Sequence, residues 1–264
     1  MRVDAQPLEN ERLRGLELEN YPWYHERHRI FPEIFEHGKY KRVIDISAGI
    51  GIVAKRIKEL YADCTIIAND ISEESLRSLR KLGLETTSFD LDNSKLHFPF
   101  EDESFDAVIS LATLEHIIDI DHHMQEIRRI LKNGGDLFLS VPNYSGIHFV
   151  IPFVLKGKTF HDFTKGDLQR YEFYAHVRYF TYLSLIDFVK QFGFEPVNTY
   201  LPLPKDSSKF RKLKKNSPLK AFVVRNLIKV FYRIMHPRWA FHPVLQFKKV
   251  DKVNSHTKPR KIIL

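Results

Sequence analysis

The sequence predicts an α/β protein built on a doubly wound parallel sheet, and three observations carry that prediction. Five short apolar, β-branched runs recur between Arg42 and Val141; helical stretches separate them; and the first run empties into a turn of small residues. Alternation of strand and helix sets consecutive strands side by side in parallel, with helices on both faces. A strand covered on both faces is apolar over four or five consecutive residues instead of alternating.

The strands are expected at Val43–Ile46, Thr65–Ala68, Thr86–Phe89, Ala107–Leu111 and Leu137–Val141. Ahead of them, Leu8–His37 is amphipathic and aromatic, with Tyr21, Trp23, Tyr24 and Phe35, and reads as a pair of helices on the sheet edge or over its mouth. Residues 1–40 are therefore assigned to a helical lid or edge segment, in which Tyr21–His25 is a candidate cover for a ligand. Between the first two strands, Ile52, Val53, Ile57 and Leu60 share one side of a helix over Ile52–Tyr61. Ser72 opens the next helix as an N-cap, and Glu73 and Glu74 in its first turn complement the helix dipole. A helix over His122–Leu131 turns Met124, Ile127, Ile130 and Leu131 inward and stops at Asn133-Gly134-Gly135. The core domain is expected over 41–204, with an aromatic, His-rich insertion at 143–176. A helix over Thr181–Phe192, closed by Gly193, and a strand at Glu195–Tyr200 complete it. In the extension 205–264 the dense run Lys209–Lys215 reads as an exposed loop. An amphipathic helix over 218–236 follows, part of whose apolar face must meet the core, and then a final strand at 243–250.

Composition narrows the class. The chain has 264 residues, 43% apolar and 28% charged, which suits a large globular domain and excludes disordered or collagen-like chains. A single cysteine, Cys64, excludes an intrachain disulfide and a cysteine-cluster metal site, and fits a reducing, cytoplasmic compartment. Met1–Arg14 carries no apolar core of a signal peptide. The longest apolar run, Ile147–Leu155, has nine residues, where a membrane-crossing helix needs about 20. Net charge is +8, but from Lys205 onward 17 Lys and Arg stand against two acids, while the rest has 24 against 31. That basic quarter suits an anionic partner: a membrane surface met peripherally from the inner face, nucleic acid or an acidic substrate. A solvated face that keeps the chain in solution explains the same count.

The site-bearing motif is Val43-Ile-Asp-Ile-Ser-Ala-Gly-Ile-Gly51, a strand, a small-residue turn and a helix start. Ser47, Ala48, Gly49 and Gly51 let a ligand approach the backbone, and the helix N-terminus offers free N–H groups. Asp70 ends the second strand, where a carboxylate accepts both hydroxyls of a ribose. Asp90 follows the third, placed for an adenine amino group, with Leu91 against the ring. A dinucleotide fingerprint wants glycine where this chain has Ser47, Gly49 and Ile52, and the last of these fails. Asp45 would repel a pyrophosphate, but suits a cofactor with an amino group and a sulfonium cation. The electrostatics favour S-adenosylmethionine over NAD.

These segments, with Phe105–Ile117 and Glu126–Gly135, resemble the successive motifs of class I S-adenosylmethionine-dependent methyltransferases. His176-Val-Arg-Tyr-Phe-Thr181 and Gly193-Phe194-Glu195 are similar to segments of that family's branch acting on small molecules, lipids and glycans. The resemblance covers roughly Lys41–Tyr200. It implies a Rossmann-like, seven-stranded sheet with an antiparallel last strand and helical lid insertions. It implies cofactor contacts at Asp45, Ser47, Ala48, Gly49, Asp70, Ile71, Asp90, Leu91 and the end of strand four, Ser110, Leu111 and Ala112. Ser47 departs from the glycine common at its place.

Methyl transfer is an in-line displacement, and alignment supplies much of its acceleration. A base is needed where the acceptor is a hydroxyl or a protonated amine. His116, following strand four, is the first candidate and His176 the second; the alternatives are a hydrogen bond from His116 to a loop and a structural contact of His176 with Arg178 or backbone. His148 and His161 read as surface or packing residues. His122 and His123 face different ways, and no metal is expected. The reading is a methyltransferase acting on a small-molecule, lipid-linked or glycan acceptor. The alternatives are an RNA methyltransferase using the basic quarter, which lacks a recognised RNA-binding motif, and a non-catalytic cofactor-binding scaffold.

Overall fold

The computed structural model describes residues 5–19, 21–35, 39–157 and 175–264. Three helices come first: α1 (Ala5–Leu13) and two single turns, α2 (Glu26–Arg29) and α3 (Phe31–Ile34). Then β1 (Arg42–Asp45), α4 (Ile52–Leu60), β2 (Thr65–Asn69), α5 (Glu73–Lys81), β3 (Glu85–Thr87), β4 (Phe105–Leu111), α6 (Ile120–Ile130) and β5 (Leu131–Ser140) alternate as expected. There follow α7 (Ile147–Lys156), α8 (Tyr182–Lys190), β6 (Phe194–Leu201), α9 (Ser208–Asn216), α10 (Pro218–Ile234), β7 (Val244–Lys249) and β8 (Arg260–Ile263).

The strands form one sheet in the order β3-β2-β1-β4-β5-β7-β6-β8. Strands β1 to β5 pair in parallel, and β7 runs antiparallel between β5 and β6. Strand order reverses between β1 and β4, so the crevice outside their C-terminal ends is where an open α/β sheet binds ligands. Both faces are covered. Val43, Ala107, Ile109 and Phe138 pack with Val53 and Ile57 of α4, Leu76 and Leu79 of α5 and Phe31 of α3. Ile44, Val108, Leu137 and Leu139 face the other way, onto Met124 and Ile127 of α6 and Leu185 and Val189 of α8. Neighbours along β1 thus serve opposite layers, which is why its run is continuously apolar.

Three expectations need correction. The sheet has eight strands, not seven. The added β8 pairs in parallel with β6 and makes the last strand of the chain an edge; its Arg260 and Lys261 are the charges edge strands carry, and they hide its apolar signal. Lys209–Lys215 is helical, not a loop. The Ser207 hydroxyl accepts the Phe210 N–H at the start of α9, and Phe210 alone of that helix is buried. Lys, Arg and Leu are good helix formers, and winding splays their charges into water. Finally, the Asn133–Gly135 stop lies inside β5: Leu131 pairs with Phe105 and Asp136 with Ala107, and the residues between loop out around Gly134 at φ 72°.

The amphipathic helix α10 meets the body through Ala221 and Tyr232, beside Leu201, Leu203 and Ala240. Among the described residues no helix is long and apolar enough to cross a membrane.

Candidate functional site at the tips of β1, β2 and β4

The chain leaves β1 at Asp45, buried between neighbouring strands, and turns through Ser47–Gly51. Two hydrogen bonds fix the turn: the Ala48 N–H donates to the Asn69 carbonyl at 2.8 Å, and the Asn69 side-chain amide donates to the Ile46 carbonyl at 2.9 Å. The Ser47 hydroxyl is hydrogen-bonded to Thr113, tying this turn to the one after β4. Gly49 and Gly51 both have positive φ, 55° and 92°, but for different reasons. A side chain at Gly49 would meet nothing within 4 Å, so this is the open, ligand-facing glycine. A methyl at Gly51 would lie 2.9 Å from both Leu79 and Leu82. Packing against the α5 side therefore requires a glycine at Gly51.

Asp70 accepts the Gly49 N–H at 2.9 Å on one oxygen and the Ser72 N–H at 2.8 Å on the other. Burial pushes its pKa up, and so does the charge of Glu9. Asp45 is pushed up to about 7, first by burial and then by the charge of Asp70. Among the described residues no cation pairs with either of these two neighbouring carboxylates, an arrangement that suits a cationic ligand. Asp90 is exposed and accepts the Asp92 N–H at 2.9 Å. Leu91 packs against the α6-side core. Ser110 is buried with an unpartnered hydroxyl, Leu111 is buried, and Ala112 takes φ 55° as its N–H donates to the Ser140 carbonyl at 2.7 Å.

Helix α1 is tied to the loop that carries Asp70. The Gln6 amide donates to the Ile71 carbonyl at 3.0 Å, and the Ser72 hydroxyl donates to Asn10 at 2.8 Å. Sequence reading missed both, because a polar, weakly amphipathic helix gives no pattern that points to its partner. Trp23, the expected cover, packs at 5.5 Å edge-on to Tyr21 and under the Arg12 guanidinium of α1.

Across the β4 tip, the turn Leu114–His116 and the segment entering α8 bring the two catalytic candidates together. The His116 and His176 rings lie 4.8 Å apart at 64°. The His116 Nδ1–H donates to the Ala175 carbonyl at 3.0 Å, and His176 Nδ1 is 3.1 Å from the Tyr144 hydroxyl. Beside them Glu115 is 1% exposed, and one of its carboxylate oxygens has no partner. Burial pushes the Glu115 carboxyl up, against the lowering charges of His116 and Arg27. Donor atoms of Glu115, His116 and His176 all lie within 4.8 Å of one another.

A buried cluster that sequence reading did not assemble adjoins this turn. Arg27 is 7% exposed, with an unpartnered Nε. The His25 ring lies 5.8 Å from His28 and 5.7 Å from His242, which is 5.4 Å from His148. Burial holds His25, His28 and His242 well below the usual range, and His148 at about 4. His148 is a packing residue here, and His161 lies outside the described residues. His122 and His123 diverge, His122 to the Leu96 carbonyl and His123 to that of Leu91. Two surface clefts, beside Arg14–Glu19 and beside Asp102–Glu103, lie away from the strand tips.

Residues 44–139 match the methyltransferase domain family. A malonyl-[acyl-carrier protein] O-methyltransferase of Geobacter sulfurreducens is 29% identical over 40% of this chain and 41% of its own. A ubiquinone biosynthesis O-methyltransferase of Xanthomonas oryzae pv. oryzae is 31% identical over 43% of this chain and 48% of its own. The chain thus spans less than half of these two relatives. A methyltransferase structure from Archaeoglobus fulgidus superposes with a TM-score of 0.55 at 18% identity, covering 93% of this chain and all of that one. The fold is the Rossmann-like one of class I S-adenosylmethionine-dependent methyltransferases, and the matched segment holds β1 to β5 of it.

Proposed function

We propose that this chain, with its class I methyltransferase domain, transfers a methyl group from S-adenosylmethionine to an oxygen of a small-molecule, lipid-linked or glycan acceptor. The observation that carries it is the uncompensated pair Asp45 and Asp70 beside the open Gly49. Their charge and that space fit the cofactor's cationic amino-acid end and ribose. A carboxylate has about four lone-pair positions, so Asp70 keeps two for ribose hydroxyls beyond its backbone bonds. Asp90 takes the adenine amino group and Leu91 lies against the ring, with Ser110–Ala112 closing the other side. The bound cofactor supplies a methyl carbon already activated by sulfur.

On the acceptor side His116 and His176 orient the attacking oxygen. Both O-methyltransferase names among the relatives support an oxygen acceptor. S-adenosylhomocysteine binding measured by calorimetry tests the cofactor half: Asp70→Ala and Asp90→Ala each weaken it more than about tenfold. Unchanged binding in both variants removes the reading. Release of S-adenosylhomocysteine with an acceptor present tests the catalytic half.

The acceptor is met at an anionic lipid surface. On α10, Leu219, Phe222, Val223, Leu227, Val230 and Ile234 form an exposed stripe, and Lys214, Lys215, Lys220 and Arg233 are exposed beside it. Apolar residues at helical spacing with flanking cations match an interfacial helix.

A further inference from the structure

We propose that Glu115, His116 and His176 bind a divalent transition-metal cation of the Zn²⁺ or Co²⁺ class beside the acceptor. No metal was expected from the sequence, because the one adjacent histidine pair diverges and Glu115 lies 61 residues from His176. The turn after β4 and the segment entering α8 bring the three together. Their donor atoms lie within 4.8 Å of one another, and a shared ion would draw them inward to bonds of about 2.0–2.2 Å.

The arrangement is built independently of any ion. The Glu115 carbonyl accepts the Val177 N–H at 2.9 Å and the Arg178 N–H at 3.3 Å. The Arg178 guanidinium donates back to the Ile117 and Ile118 carbonyls at 3.1 and 2.6 Å. His116 gives its Nδ1 proton to the Ala175 carbonyl, which leaves the Nε2 lone pair for coordination. The Tyr144 hydroxyl lies 3.1 Å from His176 Nδ1 and fixes the orientation of that ring. Outer hydrogen bonds of this kind set the tautomer and aim of metal-ligating histidines. The Glu115 oxygen is buried without a partner, and among the described residues no side chain forms an ion pair with it. A cation supplies the missing partner for an otherwise costly buried group.

Two imidazoles and a carboxylate suit zinc-like ions better than magnesium or calcium, which prefer all-oxygen sets. Three protein ligands leave a position open for the acceptor oxygen. Resting here on the function proposed above, the cation lowers the acceptor hydroxyl's pKa. The hydroxyl proton passes to water; the oxygen lone pair forms the O–CH₃ bond; and the S–CH₃ electrons return to sulfur, leaving a neutral thioether.

Titrating the tag-free, chelator-stripped chain with Co²⁺ tests the site by its visible absorption. One equivalent should bind saturably, be displaced by Zn²⁺ and resist Mg²⁺. His176→Ala and Glu115→Gln should each weaken binding by more than about tenfold, whereas His256→Ala, on an exposed loop, should not. Thermal midpoints with chelator keep folding defects apart: Zn²⁺ should raise that of the wild type and not that of either variant. A wild type without saturable binding, or two variants that bind as well as it does, overturns the site. S-adenosylhomocysteine calorimetry on the same metal-free sample reads the proposed function separately. Uptake without Co²⁺ binding sinks only the cation site, and Co²⁺ binding without uptake sinks only the function.

Discussion

Asp45 sets a pH dependence that a single residue can test. Its carboxyl titrates near 7 in the folded chain because burial and the Asp70 charge both disfavour ionisation. A ligand ammonium reverses both effects by supplying a positive partner. Binding of the cofactor therefore expels a proton from Asp45 below about pH 7, and affinity should rise between pH 5 and 7.5 and then level off. Calorimetry in buffers of different ionisation enthalpy should record that proton at pH 6, and Asp45→Asn should both weaken binding and remove the slope. The two turn glycines separate ligand space from packing. Gly49→Ala puts a methyl into open space at φ 55°, at about 1–2 kcal/mol, and should mainly impair cofactor uptake. Gly51→Ala adds overpacking against Leu79 and Leu82, of about 1–3 kcal/mol, to a similar backbone cost. A larger fall in thermal midpoint for Gly51→Ala than for Gly49→Ala is expected.

At the scale of elements, α1 and α10 serve different surfaces of the protein. Gln6 and Asn10 bond to the loop that carries Asp70, so Gln6→Ala with Asn10→Ala should weaken S-adenosylhomocysteine binding several-fold while α1 itself still forms. On α10, Phe222→Glu with Leu227→Glu touches exposed positions, so stability should move by less than about 0.5 kcal/mol per site. Sedimentation with vesicles rich in anionic lipid should drop sharply, and added salt should mimic part of the loss. Equal sedimentation of wild type and variant would remove the lipid surface from the account. The contrast between these helices also shows what was legible in the sequence. The β1–β5 repeat, the Ser72 cap and the strand-tip acids were readable because each is signalled by its own neighbours. Helix α9 and strand β8 were not, since their charges are the local signal, while Phe210 and the β6 edge that hold them lie elsewhere. The cluster around Arg27 and the Glu115–His116–His176 group escaped for the same reason. They draw on segments far apart in the chain that only tertiary packing brings together.

For the whole molecule, the buried ionisable groups decide how stability varies with acidity. His25, His28, His123, His148 and His242 are all held below the ordinary histidine range, the last-named in part by Arg27. The folded chain therefore binds fewer protons at these rings than the unfolded chain does between about pH 4 and 6.5. Stability is fully present above that window and falls as pH drops through it. His123 and His148, each pulled down to about 4, contribute about 3 kcal/mol apiece to this dependence. Glu126, held at about 2 by Arg129, His97 and the Phe98 N–H against the opposing effect of burial, acts in the same direction at lower pH. Asp45, Asp70 and Glu115 oppose it, since their raised carboxyls favour the folded state when protonated. Five rings outnumber three carboxyls, and the carboxyls lose their ionisation cost once a cation sits beside them. The urea midpoint should therefore climb from pH 5 to pH 7 in the ligand-free chain, and climb more steeply with S-adenosylhomocysteine bound. Replacing His148 by Phe removes one buried titration from a ring packed on Phe149 and Phe241 and should flatten that climb. A midpoint that falls from pH 5 to 7, or a His148→Phe slope equal to that of the wild type, would mean that these rings do not govern acid unfolding.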